Sequence, residues 1–148
     1  MRSAASGPGL SRYLLLVRIT GFDHVNLRVA DADRSLGFYR DLLGLAPERL
    51  EQLRREETSL LTFRVTPAAI LHLVPTPGFA PSPAELDGAW NHLALNVDGS
   101  MDDLMHELEA AGVEIDTPPF DAYGALGLGR AVYIRDPDGY RVELKTVD

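Results

Sequence analysis

The chain has 148 residues, of which 45% are hydrophobic and 24% charged, with a formal net charge of -8. That length suits one domain with a real core, and the acidic balance argues against a nucleic-acid or anionic-membrane surface, both of which need a cationic face. Cysteine is absent, which excludes disulfides, thiolate metal sites and cysteine nucleophiles; a metal here would be held by imidazole and carboxylate.

Residues 1–18 open with a stretch rich in Ser, Ala, Gly and Pro and read as a flexible N-terminal extension. The aliphatic run 14–17 is far below the roughly 20 residues that span a bilayer. Together these features predict a cytoplasmic protein. The first strand is expected over residues 22–29, where Val25, Leu27 and Val29 alternate with His24, Asn26 and Arg28. An amphipathic helix follows over 33–43, with Asp31 as N-cap and Gly44 at its end. Further strands are expected near 45–50, over 59–65 and over 69–74. The proline-rich segment 76–88 reads as a linker.

The pattern then recurs. Phe22-Asp23-His24 has its counterpart in Trp90-Asn91-His92, and each opens an alternating strand. The second helix is expected over 102–111, with Ser100 as N-cap and Gly112 at its end, and the step from Gly44 to Gly112 equals the step from His24 to His92. A short strand is expected over 113–115, then strands over 130–135 and 140–146, joined by the turn Asp136-Pro137-Asp138-Gly139. The glycine-rich segment 123–129 lacks the lysine and following helix of a phosphate loop, and reads as a flap or a connecting loop. The whole is α+β: module one (19–75), the linker and module two (89–148), each module βαβββ.

Strand alternation puts ligand-type residues on the face away from the core. His24 and His92 are repeat-equivalent, and so are His72 and Glu143 under the slightly longer offset that relates the later strands. If the modules pair about an approximate two-fold, all four converge, as a Zn-like site requires. Asn26, Arg28 and Arg141 share that face and are candidate substrate-binding residues, with Tyr123 on the glycine-rich segment above it. Arg141 and Lys145, flanking Glu143, also read as surface charges. His106, on the second helix, is expected to be exposed and without a role.

The strand at His24, the segment DADRSLGFYRDLLGL (31–45), the strand NHLAL (91–95) and the segment VYIRDPDGYRVEL (132–144) together resemble the vicinal-oxygen-chelate superfamily. That group includes glyoxalase I, methylmalonyl-CoA epimerase, fosfomycin-resistance enzymes, extradiol dioxygenases and metal-free bleomycin-binding proteins. The resemblance implies two paired βαβββ modules forming a curled mixed sheet around a metal-binding cleft. It implies one divalent metal per site (Zn, Ni, Mn, Fe or Co) held by His24, His92 and Glu143, with His72 as a fourth ligand or a base. It further implies a glyoxalase-like lyase or isomerase acting on a small molecule with neighbouring oxygens, and a homodimer in which one site draws on one chain or on two. The alternatives are an Fe(II) extradiol dioxygenase, a fosfomycin-modifying or drug-binding resistance protein, and a non-catalytic binding module. His72 departs from the Glu or Gln found at its position in glyoxalase I and the epimerase.

Overall fold

The computed structural model describes residues 18–147. The N-terminal extension expected over 1–18 therefore lies almost wholly outside the described residues. Module one runs β1 (His24–Val29), α1 (Ala32–Leu36), β2 (Ala46–Glu48), α2 (Leu50–Arg54), β3 (Leu61–Thr66) and β4 (Ala69–Pro75). Helix α3 (Pro83–Ala89) lies between the modules. Module two runs β5 (Leu93–Asn96), α4 (Met101–Ala110), β6 (Ile115–Gly124), β7 (Gly127–Arg135) and β8 (Arg141–Thr146). No helix among the described residues is long and apolar enough to cross a membrane.

Each module folds into a four-stranded mixed sheet, in the orders β1-β4-β3-β2 and β5-β8-β7-β6. The repeat extends to register. His72 lies between Asn26 on one neighbouring strand and Thr62 on the other, and its counterpart Glu143 lies between Ala94 and Tyr133 in the same way. Leu27 and Val29 of β1 are buried while His24, Asn26 and Arg28 are exposed, as the alternation requires. One buried cluster runs through both modules, from Leu27 and Phe63 to Leu104, Ile134 and Val142.

The helix ends follow their sequence signals. The Asp31 side chain accepts from the Arg34 backbone N–H, and Ser100 caps α4 through Asp103. Gly44 and Gly112 take φ values of 70° and 69°, the left-handed turn that releases the chain from each helix. Five elements differ from the expectation. β6 begins at Ile115, where the short strand expected over 113–115 ends, and runs on to Gly124. The first helix is α only to Leu36 and continues as a π-helical segment, Gly37–Leu42, with Leu43 N–H donating to the Phe38 carbonyl. β2 is short and is followed by α2, which has no counterpart in module two. The segment between the modules carries α3, which starts on a Ser82/Glu85 capping box. Residues 123–129 are not an irregular loop but the tip of the β6–β7 hairpin, turning at Ala125 and Leu126.

The two sheets do not join within one chain, so the single curled sheet is not closed: β1 and β5 each end a sheet. The modules are tied instead through the β7–β8 turn. Asp136 Oδ1 accepts from the backbone N–H groups of Asp138 and Tyr140, and its Oδ2 accepts from the buried Tyr39 hydroxyl at 2.8 Å. Asp138 accepts from the Ala30 N–H, and Arg34 donates to the Pro137 carbonyl. Between the modules lies an apolar groove of about 920 Å³, lined by Val25, Ile70 and Leu71 on one side and Leu93, Leu95 and Leu104 on the other.

Candidate metal centre

β1 and β4 run parallel and set His24 and His72 side by side, with ring centroids 4.9 Å apart. β5 and β8 do the same for module two. His92, one residue before β5, reaches Glu143 on β8, with Nε2 3.2 Å from Oε2. The repeat relates one pair to the other, His24 to His92 and His72 to Glu143. The structure does not bring all four to one point, and among the described residues no three ligand-type side chains could hold one ion. One chain therefore offers two half-sites, each with two ligand-type groups.

The half-sites share a feature that reading strands by alternation missed. His24 Nδ1 is hydrogen-bonded to the carboxylate of Asp23, and His92 Nδ1 lies 2.6 Å from the Asn91 side-chain oxygen. An Nδ1 engaged in this way leaves Nε2 as the ring atom that could face a metal, and on His92 that atom is the one beside Glu143. Outer partners of this kind orient metal-binding imidazoles. The signal was present in the repeat, since Asp23 and Asn91 occupy equivalent positions, each directly before its histidine.

Glu143 is 8% exposed, held between His92 and Tyr133. Burial and the adjacent carboxylate push the Tyr133 phenol above its ordinary range. Burial, and then the neighbouring His24, lower the pKa of His72, so this imidazole is neutral at neutral pH and carries a lone pair. Imidazole nitrogens and a buried carboxylate are a donor set for Zn, Ni, Mn, Fe or Co, so the residues fit such an ion chemically, two from each half-site.

The candidate substrate residues divide. Asn26 and Arg28 are exposed on the His24 face of β1. Tyr123 is 82% exposed near the hairpin tip and lines the mouth of a second cavity, about 520 Å³, that contains His92 and Glu143. Arg141 is engaged elsewhere: its Nε donates to Asp116 at 3.1 Å and its guanidinium lies over the Tyr133 ring. Arg135 bridges Asp87 and Asp116 in the same network. His106 is exposed on α4, as expected.

Comparison with known proteins settles the family. The profile of the glyoxalase/bleomycin resistance protein/dioxygenase superfamily matches residues 21–144. The chain belongs to this superfamily. It is 29% identical over 124 residues to a lactoylglutathione lyase of Escherichia coli O157:H7, covering 82% of this chain and 88% of that one. It is 28% identical over 134 residues to a virulence protein of Salmonella typhimurium, covering 85% and 83%. The crystal structure of that virulence protein superposes with a TM-score of 0.69 at 25% identity, covering 89% of this chain and all of the other. A glyoxalase/dioxygenase from Nostoc punctiforme shares the fold, with a TM-score of 0.69 at 24% identity over 97% and 99% of the chains.

Proposed function

We infer that this superfamily member is a divalent-metal lyase or isomerase of the glyoxalase type, with each metal shared by two copies of the chain. His24 and His72 of one copy and His92 and Glu143 of the other form the ligand set. The observation that carries this reading is the pair of half-sites. Each holds two ligand-type groups, His24 and His92 have Nδ1 already engaged, and neither half-site is complete alone. Two features of the chain support a second copy. The edge strands β1 and β5 are unpaired on their outer sides among the described residues, and an apolar groove lies between the modules. The match to proteins named lactoylglutathione lyase favours lyase or isomerase chemistry over the alternatives.

A divalent ion so held supplies Lewis acidity toward neighbouring substrate oxygens as they gain charge. The chain's own residues supply the rest. His72 and Glu143 are the two members of the ligand set that would take or return a proton, each only while released from the ion. Tyr133 lies beside Glu143, with its hydroxyl directed to that carboxylate.

The test is metal content by plasma mass spectrometry of untagged protein purified without added metal. About one Zn, Ni, Mn, Fe or Co per chain is expected in the wild type, falling several-fold in His24→Ala and Glu143→Ala. A wild type that binds none of these ions, even after reconstitution, would overturn the metal reading. Iron as the only supporting ion would turn the reaction toward a dioxygenase.

A further inference from the structure

Lys145 is the feature of this chain that neither the fold nor the metal reading uses. It reads from the sequence as a surface charge, yet it is 3% exposed. Its Nζ has no hydrogen-bond partner among the described residues and makes no ion pair with any described carboxylate. A buried ammonium without a partner is strongly disfavoured, and a stable fold ordinarily pairs or replaces it. The fold itself does not call for a cation there. The repeat-equivalent position in module one is Val74, opposite Arg28, as Lys145 is opposite Asn96.

The surroundings make room for this side chain. Lys145 lines the 520 Å³ cavity with His92 and Glu143, and it is the cavity's only Lys or Arg among the described residues. Gly129 on β7 lies against it: a Cβ there would come within 2.9 Å of Nζ, and one at Gly124 would touch the lysine's Cδ and Cε at 3.4 Å. Ala131, across the strand pair from Lys145, is small and fully buried. Two glycines and an alanine thus leave the space that the lysine fills. Asn96, on the strand beside it, adds an amide. Two residues along one strand are about 6.5 Å apart and point to the same face, so the ammonium and Glu143 address one ligand from two ends.

We propose that Lys145 is a substrate-recognition residue, and that the substrate of this chain carries a carboxylate beyond its two chelating oxygens. The carboxylate sits on the Lys145 ammonium, with the Asn96 amide beside it, while the chelating end lies at His92 and Glu143. Within this cavity Lys145 is the one cation among the described residues, which matches a single negative charge; of the two arginines expected to bind an anion, Arg141 is already paired with Asp116 and Arg28 lies on β1 of the other module. The assignment rests on the reading of His92 and Glu143 as metal ligands, because it places the carboxylate relative to them.

The test compares two chelators that differ by a carboxylate arm, acetohydroxamate and the monohydroxamate of succinic acid, by calorimetry on zinc-loaded protein. Wild type is expected to prefer the carboxylated chelator by about tenfold or more. In Lys145→Met and Lys145→Gln the preference is expected to fall close to one, with zinc stoichiometry and acetohydroxamate affinity unchanged. Two variants are used so that one folded protein suffices, and Lys145→Met is expected to melt no lower than wild type. No preference in wild type, or a preference kept in both variants, overturns the proposal while leaving the metal site standing. If wild type holds no zinc, the metal reading fails, and metal-free protein is titrated with succinate instead. Saturable binding lost in the variants then upholds the anion site, and no binding overturns it.

Discussion

Tyr39→Phe removes one oxygen from the tie between the modules and nothing else. Tyr39 is fully buried against Phe38 and Phe63, and phenylalanine fills the same volume. What is lost is the hydrogen bond from its hydroxyl to Asp136 Oδ2, which leaves that oxygen unpaired inside the protein. A hydrogen bond to a charged group contributes about 1.5–3 kcal/mol, and about 2 kcal/mol in a chain of this size lowers Tm by roughly 4–8 °C. The cost depends on pH with a definite sign. Burial raises the Asp136 carboxyl above its ordinary value, and the bond from Tyr39 pulls it partly back. Without that bond the folded-state pKa rises further. The variant's deficit therefore grows as pH rises through the folded-state pKa of Asp136 and shrinks below it, where the carboxyl is protonated in both proteins. Calorimetric and urea unfolding at neutral and acidic pH read this directly, with Asp136→Asn completing a double-mutant cycle. A Tm unchanged at pH 7, or the same loss with and without the Asp136 carboxylate, would refute the reasoning.

Further outcomes follow from the geometry. Asp23→Ala and Asn91→Ala are expected to weaken metal affinity by about 10–100-fold while leaving the fold intact, as measured by competition with a chromogenic chelator. Gly129→Ala puts a Cβ 2.0 Å from the Thr146 carbonyl oxygen, so the β7–β8 pairing must shift; a loss of about 3 kcal/mol or more is expected by urea unfolding. Gly37→Ala is the control, since a Cβ there meets nothing within 4 Å on a helical backbone, and about 0.5–1 kcal/mol of stabilisation is expected. Burial raises the Asp116 carboxyl, but Arg135 and Arg141 outweigh it and hold it below its ordinary value. Its stabilising contribution is present above the unfolded pKa of about 3.9 and is lost as pH falls through the folded value, so Asp116→Asn should flatten the acid limb of stability against pH.

The modular repeat was legible because a half-buried strand leaves a period of two in the sequence and a capped helix leaves its end residues. Those signals located β1, β5 and α4, together with the repeat equivalence of His24 with His92 and of His72 with Glu143, but not the pairing of His24 with His72 and of His92 with Glu143 that the strand order produces. Alternation cannot show what covers the polar face of a strand. On β8 that face lies beneath Tyr133 and the β6–β7 hairpin, so Glu143 and Lys145 are buried where the pattern suggested solvent. The glycines of residues 123–129 read as a flexible connection, yet Gly129 is there because β7 passes too close to β8 for a side chain. Local periodicity is equally silent on how the modules dock. The internal two-fold relates the four ligand-type residues, but the β7–β8 turn packs onto α1 and holds the two sheets apart within one chain.

The shared-site account is tested most directly by mixing two inactive halves. His24→Ala and Glu143→Ala homodimers are each expected to hold little metal, because every site in them lacks a ligand. When the two are exchanged into a heterodimer, one site is left with His24 and His72 of one chain and His92 and Glu143 of the other, all intact. The purified heterodimer is expected to bind one metal ion, about half the wild-type content per chain, read by native mass spectrometry. A heterodimer as metal-poor as its parents would contradict a site built from two chains.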